Sequence, residues 1–231
     1  MKLYLIRHGD PDYANDTLTE RGHDEARALV AYLEAEGIEQ IVSSPLGRAR
    51  DTARYTADAL GLDVSVEPWM AELTLRMNEF TRQAAWDIPG HVIRNEAYLS
   101  NLDSIDLIPD MPTQRIAEVL SEIRHNSDRF LAGLGYVREG GVYRIARHND
   151  RKIAVFAHGG FGLSWLALLL EIPVPLFWSG FFLHTSSVTQ ILFDERSEDL
   201  ATPRCLMISA LPHLFAASVE PGLAGVQANY R

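Results

Sequence analysis

The chain has 231 residues, 47% of them hydrophobic, and a formal net charge of -10. That length supports a sizeable core, read here as one domain over 1–231. The acidic balance argues against broad nucleic-acid or anionic-membrane binding, either of which needs an excess of Lys and Arg over a wide face.

Residues 3–6 form an apolar run too short for the core of a signal peptide and read as a buried strand, followed by a polar, turn-rich stretch over 9–16. A helix is expected from Thr19, which can act as its N-cap, with Ala26, Leu29, Val30 and Leu33 on one face and Gly37 at its end. Residues 40–43 read as a second buried strand. Ser44 and Pro45 then supply an N-cap and a first-turn proline to a helix that turns Ala49, Ala53, Ala57 and Leu60 inward and stops at Gly61. With a third strand over 64–66, strand and helix alternate as in a parallel sheet with crossover helices.

From about 75 to 150 this rhythm breaks. Pro89, Pro109 and Pro112 precede a helical pattern over 114–131, and a β-hairpin is expected from 135–139 and 142–146 around Gly140 and Gly141. The segment reads as an insertion covering the site. The core pattern resumes with a strand over 152–157, a helix over 161–172 opened by Gly159 and Gly160, and strands over 187–193 and 204–210. The 161–172 stretch contains Ser164 and Glu171 and is about half the length needed to cross a bilayer, so a buried helix in a soluble protein is expected. The single cysteine, Cys205, cannot form an intrachain disulfide or build a multi-thiolate metal site, which points to a reducing, cytoplasmic compartment and a small buried residue. The fold class is α/β: a three-layer sandwich with a mostly parallel central sheet and the insertion as a helical and hairpin lid.

Arg7, His8 and Gly9 stand where the first strand ends, the carboxyl edge at which open parallel sheets bind ligands. His158, Gly159 and Gly160 hold the same place after a later strand. Arg48, in the first turn of the second helix, leans back over that edge because helical side chains point toward the N-terminus. Four basic side chains in one hollow suit phosphoryl transfer, whose transition state spreads negative charge over the non-bridging oxygens. The amides of Gly159 and Gly160, at the head of a helix, add an anion site. The flanking arginines keep His8 neutral and nucleophilic, while Glu72, a carboxyl group that follows the third strand, is the candidate proton donor; Glu67 and Glu79 lie near enough to compete with it.

In order and approximate spacing, Leu5-Ile6-Arg7-His8-Gly9, Leu18-Thr19-Glu20-Arg21-Gly22, Ser43-Ser44-Pro45-Leu46-Gly47-Arg48-Ala49 with Thr52, Glu72, and Ala157-His158-Gly159-Gly160 resemble the histidine phosphatase superfamily, also called phosphoglycerate mutase-like. The resemblance covers about residues 1 to 73 and 152 to 193. It implies that Arg7, His8, Arg48 and His158 form the phosphate pocket, that His8 becomes a phosphohistidine, that Glu72 donates the proton, and that no metal or cofactor is required. Mutases of the family carry a longer loop with Asn and Trp where this chain has only Asp10 to Thr17, so the phosphatase branch is favoured. Asp10 and Glu25 depart from the family's usual Glu or Gln and its frequent Gln.

Around this set, Tyr13 is the best outer candidate for substrate contact. With Tyr13, the residues Trp69, Phe80, Trp86, Phe161 and Trp165 are read either as walls of a pocket for an aromatic or sugar-bearing leaving group or, for most of them, as core, and Arg76 and Arg82 are equally read as a second anion contact or a solvated face. His23, His91, His125, His148, His184 and His213 lack metal-ligand spacing. The expected partner is a small phosphorylated substrate, not nucleic acid or membrane, and homodimer formation is left open. A phosphomutase and a non-catalytic phospho-ligand binding protein are the alternatives.

Overall fold

Alternation along the first strand, β1 (Lys2–Arg7), sets the layering. Leu3 and Leu5 enter one apolar cluster and Tyr4 and Ile6 the other, the two-residue period of a strand buried on both faces. In the computed structural model, which describes residues 1–77 and 83–225, the chain continues through β2 (Pro11–Asp12), β3 (Thr17–Leu18), α1 (Glu20–Glu36), β4 (Gln40–Ser43), α2 (Gly47–Leu60) and β5 (Val64–Val66). Short helices α3 (Gly90–Ile93) and α4 (Glu96–Ser100) lead to the long α5 (Thr113–Gly133) and the hairpin of β6 (Tyr136–Glu139) and β7 (Val142–Ile145). Then come β8 (Lys152–Ala157), α6 (Gly159–Leu170), α7 (Val174–Gly180), β9 (Val188–Asp194), β10 (Leu200–Ala210) and α8 (Pro212–Ala217).

One sheet runs in the order β5-β4-β8-β1-β9-β10-β7-β6. Helix α1 packs against α2 and α8, α6 against α5 and α7, and the two apolar clusters lie on opposite sides of β1. The half from β5 to β1 is parallel. Beyond β1 every pairing is antiparallel, so the α/β sandwich has a mixed sheet rather than a mostly parallel one. Connection length is the reason: the short turns from β6 to β7 and from β9 to β10 can return the chain only antiparallel, since a parallel crossover needs a dozen or more residues. The expected hairpin forms, but it is no lid. Strand β7 pairs with the start of β10, Arg144 opposite Leu200, and completes the far edge of the sheet. Because β7 reaches only Leu200 and Ala201, the rest of β10 runs past it, and Cys205 is exposed rather than buried.

Thr19 caps α1 by accepting from the Gly22 amide. Ser44 does not cap α2, which begins at Gly47 after Leu46; its hydroxyl is engaged elsewhere, as described below. Among the described residues no helix is long and apolar enough to cross a membrane.

Helix α8 buries His213 against Tyr32 of α1, with Nε2 paired to the Ser186 hydroxyl at 3.0 Å. Burial pushes the His213 pKa down to about 4. The unfolded chain therefore binds this proton more tightly than the folded one. The stability tied to neutral His213 is complete above the unfolded value of 6.5 and is lost as the pH falls toward about 4, by about 3 kcal/mol in all. The expected result is a thermal midpoint that falls through this window less steeply in His213→Gln than in the parent; equal slopes would contradict it.

Candidate active site

Strand register brings the candidates together. Adjacent parallel strands β1 and β8 end level, Arg7 opposite Ala157, so the next residues, His8 and His158, emerge side by side with ring centroids 5.2 Å apart. On the other side of β8, β4 places Ser43 opposite Phe156, and the following Ser44 Oγ lies 2.6 Å from His158 Nε2. Gly9 and Gly22 allow the loop after His8 to press against the head of α1: a Cβ at Gly9 would lie 2.6 Å from the Gly22 oxygen, and one at Gly22 would lie 2.2 Å from that of Asp10. A cavity of about 300 Å³ opens at this edge, lined by Arg7, Tyr13, Arg48, Glu72 and Gly159, with both imidazoles 1% exposed.

His8 Nδ1 lies 2.8 Å from the carbonyl oxygen of Gly9. A carbonyl only accepts, so Nδ1 carries the proton and Nε2 the lone pair. Burial first, and then Arg7, hold the His8 pKa well below the usual histidine value, with Arg48 a smaller influence. The sequence reading credits the arginines with this neutrality, but removal from water is the larger cause. His158 is shifted down in the same way, by burial and then by His8, Arg48 and Arg7.

Both arginines are anchored. Arg7 donates through Nη1 to the Leu183 carbonyl at 2.6 Å and through Nη2 to that of Ala224 at 3.0 Å. Arg48 Nη1 pairs with Asp16 at 2.5 Å, and the other Asp16 oxygen accepts from the Gly47 amide at 2.7 Å, so Asp16 also caps α2. Arg7 Nε, Arg48 Nε and His158 Nδ1 are buried with no hydrogen-bond partner among the described residues.

Glu72 reaches the same edge and caps α6: Oε1 accepts from the amides of Leu73 at 3.0 Å and Phe161 at 2.8 Å, and Oε2 from that of Gly160 at 3.2 Å. The expected anion site at the head of α6 is thus corrected, since the Gly160 amide serves Glu72 and only Gly159 of the pair lines the cavity. Glu67 instead accepts from the Trp69 indole and lines a separate cavity.

Tyr13 is 61% exposed at the mouth, its ring edge-on to His8 at 6.5 Å and 5.4 Å from the Arg48 guanidinium. Trp69, Phe161 and Trp165 pack on one another away from the cavity, whereas Trp86 lines it. Arg76 is not among the lining residues, and Glu79, Phe80 and Arg82 lie outside the described residues. His8 and His158 are buried at this edge but are not among the residues that line the cavity, nor are the six other histidines, and among the described residues no group of three or more His, Cys, Asp or Glu is placed to hold a metal ion.

Three contributors escaped the sequence reading: Asp16, Ser44 as a partner of His158, and Glu25 as a tie. Glu25 is fully buried and accepts from the Asp10 amide at 2.9 Å, the Thr185 hydroxyl at 3.0 Å and the Gly222 amide at 2.7 Å. It fixes to the catalytic-edge loop the segment that brings the Ala224 carbonyl to Arg7. Its departure from the family's glutamine was the available signal.

Residues 3–98 match the model of the histidine phosphatase superfamily (branch 1). The probable phosphoglycerate mutase GpmB of Enterobacter sp. (strain 638) is 33% identical over 88 residues, 34% of this chain, and the chain spans only 41% of that relative's length. A mycobacterial glucosyl-3-phosphoglycerate phosphatase superposes with a TM-score of 0.62 at 25% identity, over 90% of this chain and 98% of that one. A phosphoserine phosphatase from Entamoeba histolytica, in complex with 3-phosphoglyceric acid, shares the fold with a TM-score of 0.62 at 21% identity, over 92% of this chain and 98% of that one.

Proposed function

We propose that this chain, whose residues 3–98 match the histidine phosphatase superfamily, acts as a member of that superfamily and hydrolyses phosphate monoesters through a phosphohistidine on His8. The observation that carries the reading is the trio of buried, unpartnered polar atoms, Arg7 Nε, Arg48 Nε and His158 Nδ1, on the residues gathered around His8. Each such atom costs about 1–3 kcal/mol, and a tetrahedral dianion would satisfy all three through charge-assisted hydrogen bonds.

In the first step His8 Nε2 attacks phosphorus as the bond to the leaving oxygen breaks, and Glu72 gives that oxygen a proton. Glu72 must release an amide to do so, and its bond to Gly160, at 3.2 Å, is the longest of its three. Water then attacks the phosphohistidine and passes a proton to Glu72. Inorganic phosphate departs, and His8 regains its lone pair. Arg7, Arg48, His158 and the backbone at Gly159 hold the phosphoryl oxygens as charge builds on them, with Tyr13 touching the substrate at the mouth. No step calls for a metal or cofactor. The lone Cys205 favours a cytoplasmic setting.

The name of the curated relatives, phosphoglycerate mutase, favours a second reading in which the phosphohistidine returns its phosphoryl group to a substrate isomer. The short loop from Asp10 to Thr17 and the phosphatases among the structural neighbours favour water as the acceptor. A panel of phosphorylated metabolites separates the two. Steady release of inorganic phosphate without a phosphorylated primer is the expected result. Primer-dependent isomer formation without phosphate release would assign a mutase, and phosphate binding without turnover of any substrate would mark a binding protein.

A further inference from the structure

The two imidazoles at the edge meet different partners. His8 gives its Nδ1 proton to the Gly9 carbonyl and keeps a lone pair on Nε2. His158 meets a hydroxyl instead, Ser44 Oγ at 2.6 Å from Nε2, and a hydroxyl can donate or accept there. The other contacts of Ser44 decide which.

Ser44 is fully buried. Its amide donates to the Phe156 carbonyl at 2.9 Å, its own carbonyl accepts from the Ser43 hydroxyl at 3.0 Å, and its Oγ accepts from the Leu46 amide at 3.3 Å. Among the described residues, His158 Nε2 is then the one acceptor open to the Ser44 hydroxyl proton. Were Nε2 to carry a proton and donate, that hydroxyl proton would be buried without a partner, which is costly. The Nδ1 atom, buried with no partner among the described residues on a ring 5.2 Å from that of His8, would then turn a lone pair toward a bound phosphoryl group and repel it.

We infer that Ser44 is a positioning residue: by donating to Nε2 it holds His158 as the Nδ1–H tautomer, a hydrogen-bond donor to the phosphoryl oxygens with no free lone pair for attack. Resting on the phosphatase reading, this gives the two histidines opposite tasks, His8 presenting a lone pair and His158 an N–H. Charge on the phosphoryl group is left to Arg7 and Arg48, since burial, and then His8 and the two arginines, disfavour the protonated form of His158.

Nitrogen NMR of protein carrying isotopically labelled histidine, with inorganic phosphate bound, reads the tautomer, and the His158 signals are assigned by their loss in His158→Asn. Nδ1 of His158 should resonate as a protonated nitrogen and Nε2 as an unprotonated one. The reverse pattern, or protons on both, overturns the inference, and this reading of the parent protein stands even if a Ser44 variant fails to fold. Ser44→Ala should weaken phosphate binding and lower kcat/KM by about tenfold each. Asparagine at 158 offers an amide N–H near the place of Nδ1 and has nothing to meet Ser44, so in that background Ser44→Ala should change either value by about twofold at most. Equal losses in the two backgrounds would reduce Ser44 to a support of the Leu46 amide and overturn the inference. A parent that binds phosphate but releases none from any monoester would defeat the phosphatase reading, while the NMR and binding results would still decide the role of Ser44. A parent that binds no phosphate would defeat both.

Discussion

Alanine in place of His8 is expected to lower kcat/KM for phosphate monoesters by about 10⁴-fold or more and to abolish the covalent intermediate, because the proposed attack on phosphorus runs through His8 Nε2. His158, the other imidazole at the edge, has Nε2 engaged by Ser44. The variant should still bind inorganic phosphate, since Arg7, Arg48 and His158 remain, and equilibrium binding of phosphate therefore separates a lost nucleophile from a collapsed pocket. Retained turnover in a variant that binds phosphate normally would contradict the assignment of His8.

Glu72→Gln is expected to cut kcat for alkyl monoesters by about 10²–10⁴-fold and to affect the first step on p-nitrophenyl phosphate far less, because nitrophenolate departs without a proton. The second step also needs Glu72, to take a proton from water, so the phosphoenzyme should accumulate when the variant turns over the nitrophenyl ester. Glutamine can preserve the Oε1 contacts with the Leu73 and Phe161 amides but turns an N–H toward that of Gly160. The variant thus also probes the cap on α6. Equal losses on both esters, with no accumulated intermediate, would reduce Glu72 to that cap.

What the sequence made legible was the part governed by short-range rules. Apolar runs ending at Arg7, Ser43 and Ala157 mark three strands that prove adjacent, and adjacency in register carries His8, Ser44 and His158 to one edge. The antiparallel half was less visible, because the length of β10 and its pairing with β7 depend on partners distant in the chain. Cys205 shows the consequence: a small residue in a strand looks like core until the strand is found to run past its neighbour. Asp16 carried no local signal, since its roles as partner of Arg48 and cap of α2 exist only once the β2–β3 turn folds over that helix. The tie through Glu25 likewise joins residues 10, 185 and 222, which no periodicity links. In the insertion, proline spacing marks the break in pattern but cannot say that Trp86 rests on the backbone of Gly160.

The central claim is a covalent bond between phosphorus and one imidazole. Rapid quench into alkali after mixing with a labelled monoester, followed by peptide mapping with mass spectrometry, is predicted to find an acid-labile, base-stable phosphoryl group on His8. Finding it on His158 or on a carboxylate, or finding inorganic phosphate released in a single turnover with no covalent intermediate at any time, would contradict the account.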